Sequence, residues 1–98
     1  MPESMPVPLR ILIVDDEAPA RVRLCDLLAD LAPELPNTVV AQAEDGYAAL
    51  EALAGQGADV LLVDIRMPRM DGIELARHLA GLPEAPAVIF VTAYDVYA

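Results

Sequence analysis

Apolar positions along the chain change their period from one stretch to the next. Residues 9–14, LRILIV, are an apolar run interrupted only by Arg10. A short run of this kind predicts a strand buried on both faces. From residue 18 the spacing becomes helical. Over 18–32, Ala20, Leu24, Leu27, Leu28 and Leu31 share one face, while Arg21, Arg23, Asp26 and Asp30 face water. Pro19 suits the first turn of that helix, and Pro33 and Pro36 end it. TVVAQA, 38–43, predicts a second strand. Gly46 marks a turn, residues 47–53 are helical, and Gly55 and Gly57 close the helix. ADVLLVD, 58–64, is a third apolar run, and IRMPRMDG, 65–72, is a loop. Residues 73–80 are helical again, with Ile73, Ala76, Leu79 and Ala80 inward. After the break GLPEAP, AVIFV at 87–91 predicts a fourth buried strand, ending at Thr92.

The predicted order is βαβαβαβ. Strands alternating with helices imply right-handed crossovers, hence an α/β fold with a parallel sheet and helices on both faces. Residues 1–8 carry three prolines and no periodicity, and read as a flexible leader to a single domain over 9–98.

Composition narrows the function classes. With 16 acidic and 6 basic residues, the net charge of −10 excludes nucleic-acid binding through the chain's own field. Such a field favours cations or a basic partner surface. No apolar run approaches a membrane span, and MPESMPVP lacks the basic and apolar regions of a signal peptide. The expected location is the cytoplasm. The single Cys25 forms no internal disulfide, and its neighbours Leu24, Leu27 and Leu28 make it a small core hydrophobe. His78, between Arg77 and Leu79 on a helix, reads as a surface residue, and Met67 and Met70 as loop packing.

The strand ends carry the candidate chemistry. The first strand ends in Asp15 and Asp16, the third in Asp64 and the fourth in Thr92. In open parallel sheets, ligands bind beyond the carboxyl ends of the strands at the topological switch point. Two carboxylates 4 Å apart repel by roughly 4 kcal/mol at an effective dielectric of about 20. A hard divalent cation removes that conflict, and oxygen ligands without His or Cys favour Mg²⁺. A phosphoryl group would be drawn to the metal, an aspartate beside it can attack phosphorus, and the Thr92 hydroxyl can stabilise the transferred oxygens. Each residue alone has a plainer reading, because Asp after a strand commonly starts a turn or caps a helix. Only their joint placement points to a site.

IVDDE, VDIRMPRMDG and VTAYD, in that order and spacing, resemble the receiver domains of two-component response regulators, over about residues 9–98. The resemblance implies a flavodoxin-like fold. It makes Asp64 the acceptor of a phosphoryl group from the phosphohistidine of a sensor histidine kinase. Asp16 would ligate Mg²⁺ directly, Asp15 mainly through water, and the Arg66 carbonyl would complete the protein ligands. Thr92 would be the switch hydroxyl, with the small Ala93 leaving room for the phosphoryl group. Met67, Pro68 and Gly72 would shape the loop, and Glu17 would open the first helix. EAPARVRLCDLL and TAYDVYA look most like receivers attached to LytTR-type DNA-binding domains. The implied parent is a transcriptional regulator whose DNA contacts lie outside this chain.

Receivers also have a fifth strand, whose aromatic switch residue and terminal lysine answer the phosphoryl group. This chain ends at Ala98, contains no Lys, and has none of its Arg in the last 21 residues. Tyr94 and Tyr97 do not occupy the aromatic position. The expectation is a truncated receiver holding strands one to four of five. Strand four would then be an apolar edge through which the chain self-associates, by edge pairing or exchange of elements. The competing classes are a degenerate receiver that serves only as an interaction module, a Mg²⁺-dependent phosphohydrolase and a nucleotide or flavin binder. Arg66 stands where the hydrolase would place a second Asp. DDEAPAR is acidic where a phosphate loop would be Gly- or hydroxyl-rich.

Overall fold

The computed structural model describes residues 7–91. The elements follow in the order β1 (Leu9–Val14), α1 (Ala18–Leu31), β2 (Asn37–Ala43), α2 (Gly46–Gly55), β3 (Val60–Val63), α3 (Gly72–Ala80) and β4 (Ala87–Phe90). All strand pairs are parallel, in the order β2-β1-β3-β4. The predicted α/β class therefore holds. No helix among the described residues is long and apolar enough to cross a membrane.

β1 is the centre of the sheet, and Ile11 to Val14 are at most 2% exposed. Its side chains alternate between two cores. Leu12 and Val14 join Ala43, Leu61, Val63, Ala49 of α2 and Leu75 and Leu79 of α3. Ile11 and Ile13 face the opposite way, onto Leu28 of α1, with Leu24 and Cys25 packed alongside. Helices thus cover both faces, as the near-continuous apolar strands require. Met67 and Met70 belong to the first core, so both loop methionines pack as predicted. His78 is exposed, also as predicted.

The helices differ from expectation in which face they bury. Leu27 and Leu31 of α1, predicted inward, are 51% and 48% exposed. Leu27 is rotated about 100° from the buried Leu28. Only one row of α1 meets the sheet, and among the described residues no second helix packs on that face. The inward row of α3 is Gly72, Leu75 and Leu79 rather than Ile73, Ala76, Leu79 and Ala80. Its frame is set by a capping box: Glu74 N–H donates to Asp71 Oδ1 at 2.8 Å, and Asp71 N–H donates to Glu74 Oε1 at 3.1 Å. That box starts the helix at Gly72 and turns Ile73 outward.

Three boundaries also move. Gly46 is the first residue of α2 rather than a turn before it, because Asp45 caps the helix by accepting from Ala48 N–H at 2.8 Å. At the other end Gly55 is still helical, and Gly57 leaves the helix at φ +73°. β3 is shorter than the 58–64 run. Asp59 instead ties its entry to β1, donating from N–H to Arg10 O at 2.8 Å and accepting Arg10 N–H at 2.9 Å. Among the described residues β4 is the apolar edge that a four-stranded receiver would leave rather than a buried strand, with Ile89 51% and Phe90 40% exposed and only Val88 packed on the core.

Two glycines sit against neighbours at the carboxyl end of the sheet. A Cβ on Gly72 would lie 2.5 Å from Asp64 O and 3.0 Å from Ile65 Cα, both backbone atoms. A Cβ on Gly46 would lie 2.5 Å from Met70 Sδ, the movable part of a flexible side chain. Gly→Ala in a helix returns about 1 kcal/mol, whereas overpacking against atoms that cannot yield costs about 1–3 kcal/mol. Gly72→Ala is therefore expected to lower unfolding free energy by up to about 2 kcal/mol and by more than Gly46→Ala, which stays within about 1 kcal/mol of wild type, both read from urea denaturation. Equal losses at the two sites would contradict this account.

Candidate functional site

The site lies where strand order reverses, between β1 and its neighbour β3. Chain continuity beyond each strand end sets its geometry. Asp15 N–H still donates into the ladder, to Ala43 O at 3.0 Å, and Asp64 N–H donates to Val14 O at 2.9 Å. The two aspartates are therefore placed by the same hydrogen bonds that align the strands. They are not carried on free loops.

Asp15 is buried, and its Oδ1 accepts the N–H of Glu17 at 2.9 Å. Its backbone carbonyl accepts from Arg21 Nη1 at 2.7 Å. Asp16 is exposed, and among the described residues its carboxylate takes no hydrogen bond. One carboxylate oxygen from each of Asp15, Asp16 and Asp64 lies within 4.8 Å of the others. The structure thus brings together the three acids predicted to do so. Thr92, the fourth predicted residue, lies outside the described residues, as do Ala93, Tyr94 and Tyr97.

Glu17 occupies the N-cap position of α1 in extended conformation. Its side chain makes no capping hydrogen bond, so it contributes charge without capping. Asp64 Oδ1 accepts the N–H of Arg66 at 3.3 Å, which folds the loop back over the acid; the Arg66 side chain is exposed. Burial pushes the Asp64 carboxyl above its usual range. The charges of Asp15, Asp16 and Glu17 add to that, against the opposing pull of the Arg66 N–H.

The donor set fits a hard divalent cation. It is all oxygen and anionic, with neither His nor Cys in the cluster. Opposite ligands of an octahedral Mg²⁺ are about 4.2 Å apart, so a small side-chain adjustment or one bridging water closes the set around the ion. The exposed, unbonded Asp16 is free to move onto a metal. Asp15 has one oxygen already engaged.

Sequence reasoning missed two elements of this end of the sheet. Arg21, assigned to the solvent face, is half-buried and ties α1 to the Asp15 peptide. Asp45, given no role, is buried and accepts a hydrogen bond from Arg69. Asp45 was readable as a cap, since it directly precedes a helical stretch. The Arg69 contact joins residues 24 apart in the chain and left no local signal.

Comparisons with known proteins agree with this geometry. The family model described as response regulator receiver domain matches residues 11–98. The chain is 51% identical over 87 residues to an uncharacterized response regulatory protein of Vibrio cholerae, covering 89% of this chain and 33% of that protein. It is 40% identical over 90 residues to the sensory transduction protein LytR of Streptococcus agalactiae, covering 92% and 36%. The chain therefore spans about a third of the length of these relatives. Among solved structures, the signal receiver domain of NarL from Mycobacterium tuberculosis superposes with TM-score 0.81 at 32% identity, covering 92% of this chain and 70% of that one. A structure of the P1 domain of CheA3 in complex with CheY6 from R. sphaeroides matches with TM-score 0.73 at 37% identity, covering 92% and 67%.

The raised Asp64 pKa fixes the sign of a stability test. The folded, metal-free protein holds the Asp64 proton more tightly than the unfolded chain does. Ionised Asp64 therefore destabilises the fold at neutral pH, and the penalty vanishes below the ordinary carboxylate range, where both states are protonated. Asp64→Asn, which mimics the neutral form, should raise the thermal midpoint by a few degrees at pH 7 without metal. The gain should shrink as pH falls through the raised Asp64 pKa and be gone below the unfolded value. A pH-independent difference would show that the cluster is not strained.

Proposed function

Since the chain belongs to the response regulator receiver family, we propose that it is a phosphoacceptor that takes a phosphoryl group from a sensor histidine kinase onto Asp64. The observation that carries this reading is the meeting of Asp15, Asp16 and Asp64 at the carboxyl ends of β1 and β3. In the transfer, an Asp64 carboxylate oxygen forms a bond to phosphorus as the P–N bond of the phosphohistidine breaks. The electron pair goes to the imidazole nitrogen, and Asp64 becomes an acyl phosphate. Mg²⁺, when bound, neutralises the acids and binds phosphoryl oxygens. Asp16 and Asp64 would hold it directly, Asp15 through water, and the Arg66 carbonyl would complete the set. The Thr92 hydroxyl is assigned to the transferred oxygens on the family resemblance. The chain has no Lys, so a lysine contact to the phosphoryl group is not among these residues.

The kinase as donor is supported by the CheA3 P1 domain in complex with the CheY6 neighbour. The resemblance to LytTR-type receivers assigns transcriptional control to an output domain outside these residues, and with it a cytoplasmic location. On this reading the chain is not an enzyme with a turned-over substrate. Asp64 is modified once and returns by slow hydrolysis.

Incubation with Mg²⁺ and a small phosphodonor such as acetyl phosphate should produce a base-labile, hydroxylamine-cleaved phosphate. Asp64→Asn should carry none, and Asp16→Asn should need far more Mg²⁺. Mg²⁺ at ten times its dissociation constant should stabilise the wild type by about 1.4 kcal/mol. An unlabelled wild type, also unlabelled when joined to the rest of its parent protein, would refute the assignment.

A second reading, an interaction module made by self-association, rests on β4. This edge strand is AVIF, with no charge or proline to block pairing, and Ile89 and Phe90 are exposed. Pairing of β4 with its copy would extend the sheet through a two-fold contact. Sedimentation should show a concentration-dependent dimer that Ile89→Lys abolishes. A wild type that stays monomeric at high concentration would rule this out.

A further inference from the structure

Arg69 is the only residue other than glycine with positive φ among the described residues, at +68°. An arginine gains nothing from that backbone conformation, which costs of order 1 kcal/mol and suits Gly or Asn. Strain of this kind persists only where the surroundings impose it. Here the surroundings are specific. The Arg69 guanidinium pairs with the Asp45 carboxylate and lies 6.0 Å over the Tyr47 ring. The Arg69 side chain is 68% exposed but that of Asp45 only 7%, so the acid is enclosed and the arginine reaches in from solvent. The next residue, Met70, is buried directly against Gly46. Residues 69 and 70 thus grip the start of α2 at residues 45–47.

The same loop holds the acceptor at its other end. Arg66 N–H donates to Asp64 Oδ1 at 3.3 Å, Gly72 N–H donates to Ile65 O at 2.8 Å, and Gly72 packs beneath Asp64 O. Between these ties the span 66–69 has no backbone partner in a regular element. Within it Met67 is seated in the core, while Arg66 and Arg69 are exposed on either side.

We propose that Arg69 is a positioning residue: its pairing with Asp45 latches the β3–α3 loop to the first turn of α2 and thereby fixes Asp64 and Arg66 for metal binding and phosphoryl transfer. The proposal rests on the phosphoacceptor reading for its transfer step, while its metal step stands independently. The capping bond from Ala48, with the charge of Arg69, holds the Asp45 carboxyl below its usual range, so the latch stays charged at neutral pH.

The simple electrostatic effect has the opposite sign and makes the test sharp. Removing a cation from a protein of charge −10 should strengthen Mg²⁺ binding. Arg69→Asn, which also suits the left-handed backbone, should instead weaken it about threefold or more. That is less than the roughly 10–100-fold lost when a group bonded directly to a ligand is removed. Its urea midpoint should be equal to or above wild type, and its rate of labelling by acetyl phosphate should fall at least as far as its Mg²⁺ affinity. Asp45→Asn keeps a good helix cap and should behave alike, with the double variant no worse than either single. Arg69→Lys, which keeps the charge, should recover most of the affinity.

Mg²⁺ affinity in Arg69→Asn equal to or tighter than wild type would overturn the latch, as would independent multiplication of the two single losses. Weakened Mg²⁺ binding in a series whose wild type is never labelled would uphold the latch and sink the acceptor reading. A labelled wild type with unaffected variants would do the reverse.

Discussion

The mutual repulsion of Asp15, Asp16 and Asp64 is the constraint that the rest of the structure resists. These acids cannot separate, because Asp15 and Asp64 are bonded into the β1 ladder by their own backbone amides. β1 in turn cannot shift, because Ile11, Leu12, Ile13 and Val14 are buried on both sides. Fully burying one such side chain stabilises by roughly 1.5–3 kcal/mol. The repulsion of a carboxylate pair at 4 Å is about 4 kcal/mol at an effective dielectric of about 20. The buried side chains of β1 hold the acids in place and leave the conflict to be relieved by a proton or a cation. Burial first, and then the charges of Asp15, Asp16 and Glu17, hold the Asp64 carboxyl above its usual range.

The convergence of Asp15, Asp16 and Asp64 was legible in the sequence. A strand that is apolar on both faces announces a parallel sheet, and the first polar residues after it fall at the carboxyl end, whatever the helices do. Asp15, Asp16 and Asp64 therefore converge as read. The inward faces of the helices were harder to read. Leu27 and Leu31 match a helical apolar stripe as well as Leu24 and Leu28 do. Which of them meets the sheet depends on how many neighbours the helix has, and a single sequence does not state that. In α3 the error was one of phase. Asp71 and Glu74 are spaced as a capping box, and giving that box priority over the apolar count would have placed Gly72, Leu75 and Leu79 inward.

Contacts between loops lie furthest from what sequence patterns convey. Arg69 follows Pro68 in a polar loop and looks like any solvated arginine. Its meaning comes from a dihedral angle and from an acid 24 positions earlier. Neither has a period or a local motif. Arg21 is similar: it sits on the polar side of α1, yet its guanidinium reaches back to the Asp15 carbonyl. Polar side chains that stitch backbone together near a charged site are easily mistaken for solubilising surface.

The two faces of the sheet divide the work of holding such a site. The α2 and α3 face is densely packed, and its core includes Met67 and Met70 from the very loop that follows Asp64. That loop is therefore a continuation of the core, with its polar residues outward and its methionines inward. Among the described residues the α1 face is thinner, with Leu27 and Leu31 of α1 exposed. A rigid acceptor loop needs the first arrangement, because a displacement of about 1 Å at a reacting group can cost two orders of magnitude in rate. Asp15 is fixed by its amide, by the Glu17 N–H and by Arg21. Asp16 is exposed, and among the described residues its carboxylate takes no hydrogen bond. The acids are thus held unequally, Asp15 and Asp64 by backbone ties and Asp16 by none among the described residues, an arrangement that suits the metal-dependent transfer proposed above.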